Sequence, residues 1–106
     1  MNAPLETVLK DYRAGLEALY GPRLTRLVLF GSRARGDAEP ESDIDVMIVL
    51  EAPLDDWQET QRTSRLTSDV SIKYDTVIAR IFATPEDYAR VGRVFYENVR
   101  REGVAV

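Results

Sequence analysis

The chain contains no cysteine and no histidine. Without cysteine there is no disulfide framework, no thiolate nucleophile and no cysteine metal site. Without histidine there is no Ser-His-Asp or Cys-His catalysis, no His-ligated zinc and no imidazole pH switch. Long apolar runs are also missing. The longest, Val46-Met47-Ile48-Val49-Leu50, falls far short of the roughly 20 residues that span a bilayer. The N-terminus carries Glu6 and Asp11 and no apolar segment of signal-peptide type. Cytoplasm is therefore the expected compartment, without a membrane. Positive charge is in deficit too: 14 Lys and Arg stand against 18 Asp and Glu, a net charge of −4. A domain that clamps a nucleic-acid backbone is usually basic, so nucleic acid is an unlikely partner.

What is present suits one soluble domain. The length of 106 residues allows a single core that buries roughly 65% of the unfolded surface. Hydrophobic residues make up 44% and charged residues 30%, a globular balance. Any chemistry near neutral pH must run on carboxylates, hydroxyls, Arg, Lys and Tyr, which directs attention to the acids.

Leu5, Val8, Leu9, Tyr12, Leu16 and Leu19 recur at three- and four-residue steps, predicting a helix over 4–20 that stops at Gly21-Pro22. Leu24 to Phe30 reads as a first strand, Ser32 to Gly36 as a short helix or turn, and 37–42 as a polar loop. Asp43 to Leu50 reads as a second strand whose continuous apolar end points to burial on both faces. Between Glu51 and Ser71 a helix capped by Asp55-Asp56 is expected, carrying Trp57, Gln61 and Leu66. Lys73 to Phe82 is β-rich and gives a third strand. Thr84-Pro85-Glu86-Asp87 is a helix start, followed by an apolar stripe of Tyr88, Val91, Phe95 and Val99 that runs to Glu102. One small mixed sheet with helices packed on it, α/β (α+β) in class and a single domain over 1–106, is the expected architecture.

The chemistry-bearing segment is Phe30-Gly31-Ser32-Arg33-Ala34-Arg35-Gly36, followed by Ser42-Asp43-Ile44-Asp45-Val46. Gly31 lets a strand turn tightly and approach a ligand. Amides at the following helix start, with the Ser32 hydroxyl, offer a seat for phosphate oxygens. Asp43 and Asp45 lie two apart on a strand, so both carboxylates share a face. They repel one another there unless a cation lies between them. Hard oxygen ligands of this kind suit Mg²⁺, and two such ions would activate a hydroxyl and stabilise a leaving pyrophosphate. Trp57 reads as core or a partner contact, Lys73 as a surface lysine, and Arg90, Arg93, Arg100 and Arg101 as an exposed face. Core burial is the default for Tyr88, Phe95 and Tyr96.

The Gly-Ser turn and paired acids resemble the GS-x-x-x-G … D-x-D motif of the nucleotidyltransferase superfamily related to DNA polymerase β. GSRARG followed by SDID is similar to the minimal nucleotidyltransferase (MNT) branch, commonly the antitoxin of a helical HEPN toxin. Arg100-Arg101-Glu102-Gly103 also resembles that branch. The resemblance implies a sheet with helices mainly on one face, ATP as substrate, Mg²⁺ (two ions) as cofactor, and transfer of AMP with loss of pyrophosphate. It implies Gly31, Ser32 and Arg35 at the nucleotide, and Asp43 and Asp45 on metal. The family's third acid, on a neighbouring strand, is assigned to Asp75, with Asp69 as the rival. The implied acceptor is a protein hydroxyl, a tyrosine of the toxin. Alternatives are an antitoxin acting by binding alone, or transfer to a small molecule. So short a chain would need a partner or second subunit, as a homodimer or hetero-oligomer, to complete the acceptor site.

Overall fold

A computed structural model describes residues 4–36 and 42–106. Helix α1 spans Leu5–Tyr20, and a 3₁₀ turn at Gly21–Arg23 leads into strand β1, Leu24–Phe30. A four-residue helix α2, Ser32–Arg35, follows, then β2, Ile44–Leu50. Helix α3 is Asp56–Tyr74 and β3 is Ile78–Ala83. The chain closes with α4, Pro85–Tyr88, α5, Val94–Glu102, and a two-residue strand β4, Val104–Ala105.

The four strands form one mixed sheet in the order β3-β2-β1-β4. β1 runs antiparallel to β2 and β4, and β2 parallel to β3. β2 is central, and its residues Val46 to Leu50 are fully buried, as a strand covered on both faces must be. On one face, Ile44, Val46, Ile48 and Leu50 join Leu27, Leu29 and Ile78 under α1 and α3. On the other, Val28, Met47 and Val49 meet Ala83 and Val99, with Phe30, Ile81, Tyr88 and Tyr96 packed around them. Each such large apolar side chain contributes roughly 1.5–3 kcal/mol on burial. The two long helices lie on the first face, and the short α4 and α5 cover part of the second.

Several expectations change. In α1, Tyr20 rather than Leu19 completes the buried stripe. β2 begins at Ile44, directly after Asp43. The third strand begins at Ile78, because α3 continues through Lys73 and Tyr74 and ends with Asp75 in the left-handed region, φ 50°. The single closing helix is two. Thr84 caps α4 through the Asp87 amide, as expected, but Gly92 at φ 88° breaks the path before α5 starts. The interrupted stripe leaves Val91 and Val94 exposed at 83% and 70%, and Phe95 at 47%. Trp57 is 71% exposed and not core. Of the predicted loop 37–42, residues 37–41 lie outside the described residues.

The inward face of α3 is polar. Its buried positions are Glu59, Thr63, Thr67 and Val70. Thr67 shares a 2.7 Å hydrogen bond with the Tyr12 hydroxyl, and Arg80 donates to the Thr63 hydroxyl at 2.7 Å. Glu59, 2% exposed, accepts from the Tyr20 hydroxyl at 2.8 Å and pairs with Arg23 and Arg62 at 3.1 and 3.2 Å. Arg23 also donates to the Glu51 carbonyl at 2.9 Å and to that of Pro53. These partners supply what a buried carboxylate requires. Burial, with Glu59 beside it, holds the Tyr20 phenol protonated well above its ordinary range. This cluster binds α1 and α3 at the sheet end where β1 starts and β2 finishes.

Candidate active site

The opposite end of the sheet holds the motif. β1 ends at Phe30 beside Asp45, its partner in the antiparallel register. Directly paired residues share a face, so Phe30, Asp45, Met47 and Val28 look out on the α4–α5 side. Gly31 follows at φ 75°, ψ −157°, a region open essentially to glycine alone. It has a second constraint: a Cβ built here would stand 2.5 Å from Asp45 Oδ2. The turn that starts α2 thus passes directly against one carboxylate. α2 then closes through the Gly31 carbonyl, which accepts from the Ala34 and Arg35 amides at 3.1 Å each.

Asp45 is half-buried and Asp43 exposed. Burial, first, and the negative charge of Asp43, second, push the Asp45 carboxyl above the ordinary 3.8, while Arg35 pulls it back. The fold therefore holds a carboxylate where its charge is unfavourable, next to another acid. Such a pair suits a divalent cation with a preference for hard oxygen, as Mg²⁺ has.

Two arginines fix the surroundings. Arg33 donates to the Ser42 carbonyl from Nε at 3.2 Å and Nη2 at 2.8 Å, tying α2 to the residue before Asp43. Arg35 Nη1 lies 3.5 and 3.4 Å from the two carboxylate oxygens of Glu102, the last residue of α5. Neither contact was legible in the sequence. The Arg33 bond is to a backbone oxygen, and Glu102 is 67 residues from Arg35 with no charge pattern linking them.

Gly31, Ser32, Arg35, Asp43 and Asp45 thus come to one end of the sheet. Asp75 reaches that end differently from expectation. The Ile44 amide donates to the Val77 carbonyl at 2.8 Å, so the α3–β3 junction stands level with Asp43, but Asp75 is an exposed helix cap and not a strand residue. On β3 the residue beside Asp45, on the same face, is Ala79. Asp69 is exposed on α3, 4.0 Å from Arg65, and Lys73 pairs with Asp11 at 3.0 Å. Among the described residues, no three acidic, histidine or cysteine side chains gather as a metal-binding group. The described geometry offers a two-carboxylate site.

Comparison with known proteins decides the family. The nucleotidyltransferase domain model matches residues 9–98. The chain belongs to the nucleotidyltransferase domain family. A Methanocaldococcus jannaschii protein named "putative protein adenylyltransferase" is 35% identical over 100 residues, covering 93% of this chain and 95% of its own length. Among solved structures, a toxin–antitoxin complex with AMP-PNP superposes with a TM-score of 0.61 at 20% identity, over 91% of this chain and 70% of that one. A complex of tri-AMPylated HEPN toxin with MNT antitoxin from Shewanella oneidensis superposes at 0.51 and 18% identity, over 92% of this chain and 70% of that one. These two show a shared fold. This nucleotidyltransferase has the expected mixed sheet, with the Gly-Ser turn and the paired acids at one end of it. Among its described residues no helix is long and apolar enough to cross a membrane.

Proposed function

We propose that this nucleotidyltransferase transfers AMP from ATP to a protein hydroxyl, a tyrosine of a helical HEPN-type toxin, and so acts as an antitoxin. The observation that carries the reading is the carboxylate pair Asp43–Asp45 set against the Gly31–Ser32 turn. The resemblance to the adenylyltransferase relative and the toxin–antitoxin folds supports the choice of AMP and of acceptor.

In this reading Gly31 and Ser32 bring backbone amides and a hydroxyl to the triphosphate, and Arg35 adds positive charge. Asp43 and Asp45 hold Mg²⁺. When bound, the metal would activate the acceptor oxygen and offset charge on the departing pyrophosphate. The acceptor hydroxyl gives its proton to Asp75 as its oxygen bonds to the α-phosphorus, and the bond from that phosphorus to the oxygen bridging to the β-phosphate breaks, releasing pyrophosphate. Asp75 is the proposed third acid, approaching from the α3 cap. Cytoplasmic location and assembly with the partner belong to the same proposal.

The test is transfer of label from ATP labelled at the α-phosphate to the product of the neighbouring reading frame, co-expressed with this chain, with mass spectrometry for an added AMP on tyrosine. Labelling is expected with the native chain and absent with Asp43→Asn or Asp45→Asn. Undiminished labelling by these variants overturns the proposal. Toxin neutralisation that survives both substitutions without labelling establishes binding alone as the mode of action.

A further inference from the structure

Of the two acids, only Asp45 belongs to the sheet. It pairs with Phe30 across β1 and β2, and the Gly31 turn passes against its carboxylate. Asp43 has no such seat. It precedes the first residue of β2 and is exposed. An acid at the approach to a strand is ordered by the peptides on either side of it, or a cation that binds there must order it first.

Both flanking peptides are held. On the C-terminal side, the Ile44 amide donates to the Val77 carbonyl at 2.8 Å, and the Ile44 side chain is fully buried. On the N-terminal side, the Ser42 carbonyl accepts from Arg33 Nε at 3.2 Å and Nη2 at 2.8 Å. That carbonyl and the Asp43 nitrogen belong to one planar peptide unit. Fixing the oxygen therefore fixes the plane from which Asp43 Cα departs. Two donors on one edge of a rigid guanidinium set direction as well as distance, and bonds from a charged donor are stronger than neutral ones. Arg33 directly follows Ser32 in α2, so the same side chain ties the Gly-Ser turn to Asp43.

We infer that Arg33 is a positioning residue: through the Ser42 carbonyl it orders the Asp43 backbone and so keeps Asp43, with Asp45, ready for a divalent cation. This rests on the reading of that pair as a metal site. The sign of the effect separates position from charge. A positive charge near two acids opposes a cation, so removing an arginine that acted by charge alone would tighten metal binding. Removing an arginine that acts by position weakens it.

The experiment reads the full chain in two ways. Titration with Mn²⁺ alone, followed by water-proton relaxation, gives affinity. Amide hydrogen exchange of the metal-free protein, followed by NMR, gives local order. The variants are Arg33→Met, Arg33→Lys, Asp45→Asn and the charge control Lys10→Met, whose side chain is 74% exposed on α1. Thermal melts confirm folding. Arg33→Met keeps an apolar stem and removes the donors. It is expected to weaken Mn²⁺ binding about three- to tenfold, as when the competent arrangement is populated roughly a third to a tenth of the time. Exchange of the Ile44 amide is expected to quicken by a similar factor, with Met47 and Val49 unchanged. Arg33→Lys keeps the charge but not the fork, and about a twofold loss is expected. Lys10→Met is expected to match the native chain in both readouts. Mn²⁺ binding that is unchanged or tighter in Arg33→Met overturns the inference, and so does weaker binding with native Ile44 exchange. If Arg33→Met fails to fold, native Mn²⁺ affinity in Arg33→Lys overturns it. A native chain that binds no more Mn²⁺ than Asp45→Asn refutes the metal-site reading, and the positioning role with it. Binding that Asp45→Asn abolishes and Arg33→Met leaves intact refutes the positioning role alone.

Discussion

Gly31→Ala tests the link between the turn and the carboxylate most directly. Two costs add at this position. The backbone, at φ 75° and ψ −157°, lies where a side chain costs roughly 1–3 kcal/mol. The new methyl, 2.5 Å from Asp45 Oδ2, forces the acid aside at roughly 1–3 kcal/mol more. A loss of about 4 kcal/mol is a large part of the roughly 5–15 kcal/mol available to such a domain, and lowers Tm by roughly 15–20 °C. Gly36→Ala is the matched control. Its backbone is also left-handed, φ 80° and ψ 12°, but among the described residues nothing stands within 4 Å of the added carbon, so about 1–2 kcal/mol is expected. Urea and thermal denaturation, followed by circular dichroism, measure both. Adding Asp45→Ala to Gly31→Ala should recover about 1–2 kcal/mol relative to additivity, since the second change removes the obstacle to the first. A Gly31→Ala protein no less stable than Gly36→Ala, or strictly additive with Asp45→Ala, would refute the close-contact argument.

The other predictions concern the same sheet. Asp45 has its folded pKa raised above 3.8; the native state therefore binds the extra proton between that value and the folded one, and stability falls as pH rises through the window. Asp45→Asn should consequently raise the melting temperature of the metal-free protein at pH 7, with the gain shrinking toward pH 3.5, while removing stabilisation by Mg²⁺. Ala79→Asp places a third carboxylate in register with Asp45; Mn²⁺ binding should tighten on the order of tenfold and the metal-free protein should lose about 0.5–1 kcal/mol, as isothermal titration and melts would show. Glu59→Ala removes the shared partner of Tyr20, Arg23 and Arg62 and should cost about 3–5 kcal/mol in urea unfolding. It should leave the affinity for AMP-PNP unchanged below the unfolding transition.

The paired acids and the Gly-Ser turn were legible because they break local rules: an acid on a central strand with another just before it, and a glycine before a helix, are poor choices without a purpose. β1 was read to its residue limits, since an apolar run between Pro22 and Gly31 has few other conformations. α3 was placed but its end was missed. Its inward face is Glu59, Thr63 and Thr67, so hydrophobic periodicity gives no signal where burial is polar. Tyr74, Val77 and Ile78 then read as one β-rich stretch, although the helix holds the first of them and β3 the last. This shift left Asp75 on a cap, and propensity alone has no means of seeing it. The closing helix was overextended because its apolar stripe continues through Gly92, whose positive φ divides it. β4 is two residues long and depends on β1 for its existence, a tertiary effect.

The Glu59 cluster and the carboxylate pair stand at opposite ends of the same sheet, which bears on how the molecule opens. Arg23 and Glu59 fasten the chain where Leu24 pairs with Leu50, whereas like charges sit side by side where Phe30 pairs with Asp45. Hydrogen exchange should therefore run as a gradient along β1 and β2. Amides near Leu27 and Val49 should exchange only with global unfolding, and those of α2 by local fraying. Divalent ions should slow exchange at the α2 end alone, so that a ligand changes the cooperativity of the domain without changing its most protected core.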